Sequence, residues 1–215
     1  TWPDPRRCLL VEADSFGGVV AARFGLGDTP GLSTLAAQTR GGFNDAAVKA
    51  HIQRLPGGLG VLVGPASPEE AQAVGRDAAG PLAEWAATGA VDVVVDRGRL
   101  PPGVPPGGTP SGRSLVLVVT RPTVDQLRPA SIRQAALAAA GFDASLLLVG
   151  DRPYGSDEVA ATMRVPVAGV VAWDPSTAAA LAGMAGAVRD LRRSLLVRSP
   201  PAMVERLAAE SKLAR

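Results

Sequence analysis

Short, nearly unbroken apolar runs punctuate this chain, each closed by charge, glycine or proline. Residues 8–11, 59–63, 90–96, 114–120, 144–149 and 165–171 lack the alternation of a half-exposed strand, so they read as strands buried on both faces. Helical patterns fall between them. A helical turn is expected over 19–24, a short helix over 32–40, and a polar, helical or irregular stretch over 44–54. Ser67-Pro68-Glu69-Glu70 combines an N-cap residue, a proline at the first helical position and acids in the first turn, which starts a helix running to about residue 76. A second helix, 81–88, carries Trp85 on its apolar face as a core residue. Further helices are expected from Asp125 to residue 140 despite Pro129, and over 157–163, 176–186 and 187–193, with a helical tail at the end of the chain. Strands alternating with helices predict a doubly wound α/β domain with a mainly parallel sheet and helices on both faces. The expected extent is residues 1–193, followed by a tail over 194–215.

Composition narrows the class. The 215 residues are 47% hydrophobic and 20% charged, which is globular and large enough for a substantial core. Net charge is +2, and Lys49 and Lys212 are the only lysines. Arginine enriched together with Ala, Gly and Pro reads as coding bias, because no basic cluster is interleaved with aromatics as single-strand binding requires. The one cysteine, Cys8, lies in an expected buried strand and suits packing in a reducing compartment. No apolar run approaches the roughly 18 residues of a membrane span, and no signal-like segment opens the chain. The expectation is a soluble, cytoplasmic protein without stable membrane insertion. His51 has no second histidine or cysteine near it, so a surface or half-buried histidine is expected rather than a metal ligand. The stretch 97–112 contains five prolines and five glycines and reads as a long mobile loop.

Candidate chemistry gathers where strands end. The first strand runs into Glu12 and Asp14 and then Phe16-Gly17-Gly18; a later one ends on Asp96; another ends at Gly150-Asp151. In a parallel sheet such ends lie along one edge, where ligands bind, and an apolar strand ending in Asp is what holds Mg²⁺ in nucleotide-hydrolysing sites. The structural alternatives are that Glu12 and Asp14 cap the next helix, that Asp96 begins a turn, and that Trp173 is a core aromatic.

The order of these motifs resembles the MinD/ParA group of P-loop ATPases, including their TadZ/CpaE-like relatives. The pattern acidic-x-acidic followed by small residues is matched by Glu12 to Gly18, and the Walker B strand by Val93-Val94-Val95-Asp96. The strand Leu115 to Thr120 with its Arg121-Pro122 continuation, the segment Leu146 to Arg152, and the closing apolar strand with Trp173-Asp174-Pro175 follow in the family's order. The resemblance covers roughly residues 6–186. It implies ATP/ADP and Mg²⁺ as cofactors, Asp96 holding the metal's water shell, Asp14 orienting or activating the attacking water with Glu12 near the metal, and Asp151, Arg152 and Trp173 around the adenine. It also implies a homodimer formed across the nucleotide face, working with a protein partner of a positioning or secretion machinery.

The departures are as informative. A phosphate loop of the form GKGGxGKT needs glycine amides to cradle phosphate and a lysine to neutralise it, yet neither Lys49 nor Lys212 follows a glycine. Asp96-Arg97-Gly98 stands where the family has Asp-Thr-Pro, and Gly150 or Asp151 where it has a base-reading Asn. The opening Thr1-Trp2-Pro3-Asp4-Pro5 reads as the tail of a helix-to-strand connection, which favours a missing upstream strand over a nucleotide-free relative. Without that strand a gap is expected between the strands ending at Asp96 and beginning at Leu115, with low stability or a rearranged order. The expected function is a MinD/ParA-like protein of intracellular positioning or partitioning that does not hydrolyse ATP as given. The alternatives are a pseudo-ATPase interaction module of a secretion or pilus-assembly system, and a Mg²⁺-dependent α/β hydrolase using Glu12, Asp14 and Asp96.

Overall fold

The computed structural model describes residues 7–38, 42–89, 91–100, 114–184, 191–201, 203–205 and 207. They form two compact units that divide near residue 110.

In the first unit the apolar opening run becomes β1 (Cys8–Glu12), one of the two inner strands of a sheet ordered β2-β3-β1-β4, with β2 (Gln53–Arg54), β3 (Gly60–Leu62) and β4 (Asp92–Asp96). β1 is parallel to both β3 and β4, and β2 pairs antiparallel with β3. Alternate residues of β1 serve opposite faces. Leu9 and Val11 join Leu62 and the helices α2 (Leu32–Gln38), α3 (Asp45–His51) and α4 (Pro68–Ala87) in the main core, while Leu10 faces Val61, Val63 and Ala21 of α1 (Val20–Phe24). Helices therefore cover both faces, and the absence of alternation in the strand is explained.

The second unit is a parallel sheet, β5 (Leu115–Thr120), β6 (Asp143–Val149) and β7 (Val167–Val171), with β6 in the middle. On it lie α5 (Val124–Ala139) and α6 (Ser156–Met163), which supply Leu127, Ala130 and Val159 to the core around Leu146 and Leu148. The chain continues in α7 (Pro175–Leu181), a 3₁₀ turn over Leu191–Arg193 and α8 (Leu195–Arg198). Met203 packs onto Gly169 of β7 so closely that a β-carbon there would lie 2.7 Å from its sulfur.

Several expectations are revised. The two helices expected over 71–76 and 81–88 are one, α4, which runs through Pro81. An interior proline costs about 3 kcal/mol, but Leu82 and Trp85 beyond it are both buried, and burying side chains of that size stabilises by roughly 1.5–3 kcal/mol apiece. Trp85 also donates its indole N–H to Asp45 Oδ1 at 2.8 Å. The 44–54 stretch divides into α3, capped by Asn44 accepting from Ala47 N–H, and the short strand β2. His51 is buried, its Nδ1–H donating to the Ala47 carbonyl at 2.7 Å. Ser67 caps α4 as expected, accepting from the Glu70 N–H.

The largest difference concerns β4 and β5. Read as strands buried on both faces, each is an outer strand with a neighbour on one side only among the described residues. Val94 and Val95 are each 38% exposed and Val119 is 62% exposed. Residues 101–112 of the loop expected over 97–112, part of the helix expected over 187–193 and the end of the tail lie outside the described residues.

Candidate functional site

The carboxyl edge of the first sheet holds three of the expected site residues, and they behave differently. Glu12 turns inward and is buried. Its Oε1 accepts from Val19 N–H at 2.6 Å and from Val20 N–H at 2.9 Å, and its Oε2 accepts from Gly64 N–H at 3.1 Å. One carboxylate thus ties the end of β1 to the start of α1 and to the end of β3. The tie needs close approach: a β-carbon on Gly18 would lie 2.5 Å from Glu12 Oε2, and one on Gly64 would lie 2.6 Å from the Glu12 carbonyl oxygen.

Asp14 and Asp96 instead converge on Gly98. Asp96 Oδ1 accepts from the Gly98 N–H at 2.9 Å, and the Asp14 carboxylate rests against Gly98 where a β-carbon would overlap it. Asp14 Oδ1 also accepts from Phe16 N–H at 2.9 Å, which closes the loop after β1, and Ala13 N–H donates to the Asp96 carbonyl at 2.8 Å, which continues the β1–β4 pairing. Two carboxylates sharing one turn suit Mg²⁺, which is held through one or two carboxylates and keeps several waters. Among the described residues no group of three or more His, Cys, Asp or Glu is placed to hold a metal ion.

Arg97 follows Asp96 in the same turn. It is half-buried, its Nε is enclosed without a hydrogen-bond partner, and burial pushes its pKa down. In the sequence it registers only as a departure from Asp-Thr-Pro. Lys49 lies on α3, 4.0 Å from Asp45.

The second sheet carries the other candidates at its own carboxyl edge. β6 ends at Gly150, whose N–H donates to the Val171 carbonyl of β7 at 2.7 Å. With φ at +89°, Gly150 adopts a left-handed conformation that favours glycine, and a β-carbon there would be 3.2 Å from Trp173 Cβ. Asp151 and Arg152 follow on the exposed turn. Trp173, at the end of β7, is 50% exposed rather than a core aromatic, and Arg121, at the end of β5, lays its guanidinium over the indole with Cζ 4.2 Å from the ring centroid. Arg121 was visible in the sequence only as part of the Arg-Pro continuation; the stack depends on strands far apart in the chain. Asp174, next to Trp173, caps α7 by accepting from the backbone N–H and the hydroxyl of Thr177 and from Ser176, and these bonds hold its pKa down at about 2.

No protein-family profile matches the sequence, and no curated protein does. Solved structures do. The chain is similar to the cell division ATPase MinD of Pyrococcus furiosus at 19% identity and a TM-score of 0.66, covering 97% of this chain and 86% of that one. It is similar to the septum site-determining protein MinD of Pyrococcus horikoshii OT3, solved as a complex with Mg-ADP, at 17% identity and a TM-score of 0.66, over 98% and 87% of the two chains. It is similar to a ParA family ATPase of Chlorobium tepidum TLS at 15% identity and a TM-score of 0.62, over 96% and 86%. At these identities the likeness is one of architecture, and the chain has the α/β, P-loop NTPase-like fold of the MinD and ParA ATPases.

Proposed function

We propose that this chain is a nucleotide-fold protein of intracellular positioning or partitioning, which binds a purine nucleotide weakly and does not turn over ATP as given. The observation that carries the nucleotide half is the Arg121–Trp173 stack beside the exposed Asp151 and Arg152, all on the carboxyl edge of one parallel sheet. Ligands bind at such edges in open α/β sheets. The half concerning turnover rests on the sequence: no lysine follows a glycine, so no loop in these 215 residues combines glycine amides with a phosphate-neutralising lysine. Within the first unit, Asp14 and Asp96 would hold Mg²⁺ and its water shell. Glu12 acts by fixing the Asp14 loop, since its carboxylate is already taken by three backbone donors.

A second reading, a pseudo-ATPase interaction module of a secretion or pilus-assembly system, is favoured by one feature. Phe16, Val19 and Phe24, immediately after the acidic pair, are 56%, 56% and 43% exposed, and apolar side chains grouped at a surface mark protein contact sites. The two readings share a homodimer and a protein partner. The hydrolase alternative is less well supported, because only Asp14 and Asp96 converge while Glu12 turns inward.

Equilibrium titration of the full chain with Mg²⁺ and purine nucleoside diphosphates, followed by sedimentation analysis with and without nucleotide, tests the proposal. Saturable binding lost in Trp173→Ala and a dimer favoured by nucleotide are expected. Absence of any saturable binding at millimolar nucleotide removes the nucleotide half and leaves the interaction-module reading.

A further inference from the structure

We infer that the open edge of β5 is a self-association surface, to which a second copy of this chain adds its own β5, antiparallel, across a twofold axis. The inference goes beyond the nucleotide reading and does not depend on it.

An outer strand presents unpaired backbone N–H and C=O groups, and folded chains blunt such edges by brevity, charge, bulges or cover. Among the described residues the outer strands are β2, β4, β5 and β7. β2 is only two residues long. β4 has an aspartate at each end, so self-pairing about Val94 would set Asp92 opposite the partner's Asp96, and like charges directly opposite are destabilising. β7 meets β6 with a register shift at Leu146–Leu147, and just past its end the Ala172 N–H is taken by Ser199 Oγ at 2.9 Å. β5 carries none of these devices. Its residues Leu115 to Thr120 keep an unbroken parallel register with β6 and include no charge and no proline. On this strand Leu115 is 37% exposed and Val119 62%.

The side chains of β5 fit a copy of themselves. Leu115, Leu117 and Val119 alternate with Val116 and Val118, so the two sets take opposite faces of the strand. Val116 and Val118 pack against Leu137, Phe142 and Ala144. Antiparallel pairing about Leu117 sets Leu115 opposite the partner's Val119, Val116 opposite the partner's Val118, and Leu117 opposite the partner's Leu117. Each face then meets its like, whereas a slip of one residue would set core-facing side chains opposite outward ones. Every pair is apolar and no like charges are opposed. With a net charge of only +2, little long-range repulsion keeps two copies apart. The contact is isologous, so it consumes both open β5 edges and stops at two copies. One strand pair is small against the roughly 1,200 Å² of a stable interface, so the dimer dissociates on dilution.

The test uses the full chain without Mg²⁺ or nucleotide, by sedimentation equilibrium at concentrations rising to millimolar. A reversible monomer–dimer equilibrium with no larger species is expected. Val119→Lys sets a charge opposite the partner's Leu115, twice by symmetry, and should weaken association about tenfold. Phe24→Lys, at an exposed position of α1, should leave it unchanged. Val119 is exposed, so its variant should melt as the parent does, and circular dichroism checks this. Leu117→Cys tests the register. In either kind of antiparallel pair the facing Cα atoms lie about 4.5–5.5 Å apart, within reach of a disulfide, so mild oxidation should give a covalent dimer. Val119→Cys should not cross-link, because its two copies would lie roughly 13 Å apart along the strands; the parent, whose Cys8 is buried, gives the baseline. The inference is overturned by a chain monomeric at millimolar concentration, by a dimer that needs nucleotide, or by open-ended assembly. It is equally overturned by a dimer that Val119→Lys leaves intact or Phe24→Lys weakens, and by Leu117→Cys cross-linking no better than Val119→Cys. Each of these results leaves the nucleotide reading standing, since that reading falls only to the ligand titration.

Discussion

Arg121 and Trp173 stand at the ends of two strands that are not neighbours, β5 and β7, and meet with the guanidinium carbon 4.2 Å from the indole centroid. The contact reaches across the end of β6, over a span of two inter-strand spacings of about 4.8 Å each. Gly150 makes room for it at the end of that middle strand. A cation over an exposed indole contributes about 0.5–1 kcal/mol, so the stack organises the edge more than it holds the fold. Arg121→Ala should lower unfolding free energy by no more than about 1 kcal/mol in urea while shifting the emission of Trp173.

Glu12 is expected to behave in the opposite way. Its buried carboxylate receives N–H groups from Val19, Val20 and Gly64, and each buried donor left without an acceptor costs about 1–3 kcal/mol. Glu12→Ala should therefore destabilise the chain by about 3 kcal/mol or more. Glu12→Gln, which keeps one accepting oxygen and sets an amide N–H against a backbone N–H, should fall between. Chemical denaturation of the two variants ranks them; equal stability of all three chains would remove the structural role given to this residue.

Gly98 is where Asp14 and Asp96 meet, and a β-carbon there overlaps the Asp14 carboxylate. Gly98→Ala should push Asp14 aside and break its bond to Phe16 N–H. Amide hydrogen exchange at Phe16 should then accelerate, while the distant core around Leu62 and Trp85 keeps its protection.

Two ionisable groups make pH predictions of opposite direction. Burial raises the Cys8 thiol from 9.0 to about 11, with Asp92 adding to the effect. The unfolded thiol ionises first, so stability is whole below about pH 9 and falls as pH rises toward 11. Alkylation of Cys8 at pH 8.5 should be slow until the chain is unfolded. Asp174 is held down at about 2 by its bonds to Thr177 and Ser176. Its contribution is present above the ordinary carboxylate range and is lost as pH falls from about 4 through 2. Asp174→Asn should flatten that part of an acid titration of α7, followed by circular dichroism.

Much of this was legible in the chain, and the limits have physical causes. The strand 8–11 with its double-sided burial, the Ser67 cap and the core position of Trp85 follow from local pattern and were read directly. In the sequence Pro81 reads as a break because local propensity opposes an interior proline; tertiary burial of Leu82 and Trp85 overrides it. β4 and β5 read as fully buried because Val-Val-Val and Leu-Val-Leu-Val-Val carry no sign of an edge. Their exposure depends on which strands are present to pair with them, and composition does not encode that. At the site, the acids were visible as strand ends, but that Glu12 turns inward while Asp14 and Asp96 meet at Gly98 is a matter of backbone direction. The Arg121–Trp173 stack joins residues 52 positions apart in sequence, beyond the reach of any local motif.

Whether this nucleotide fold performs the reaction of ATPases is tested most directly by steady-state phosphate release from the full chain with Mg²⁺ and saturating ATP. A rate indistinguishable from buffer and unchanged by Asp14→Asn is expected. Sustained turnover well above background that disappears in Asp14→Asn would contradict it.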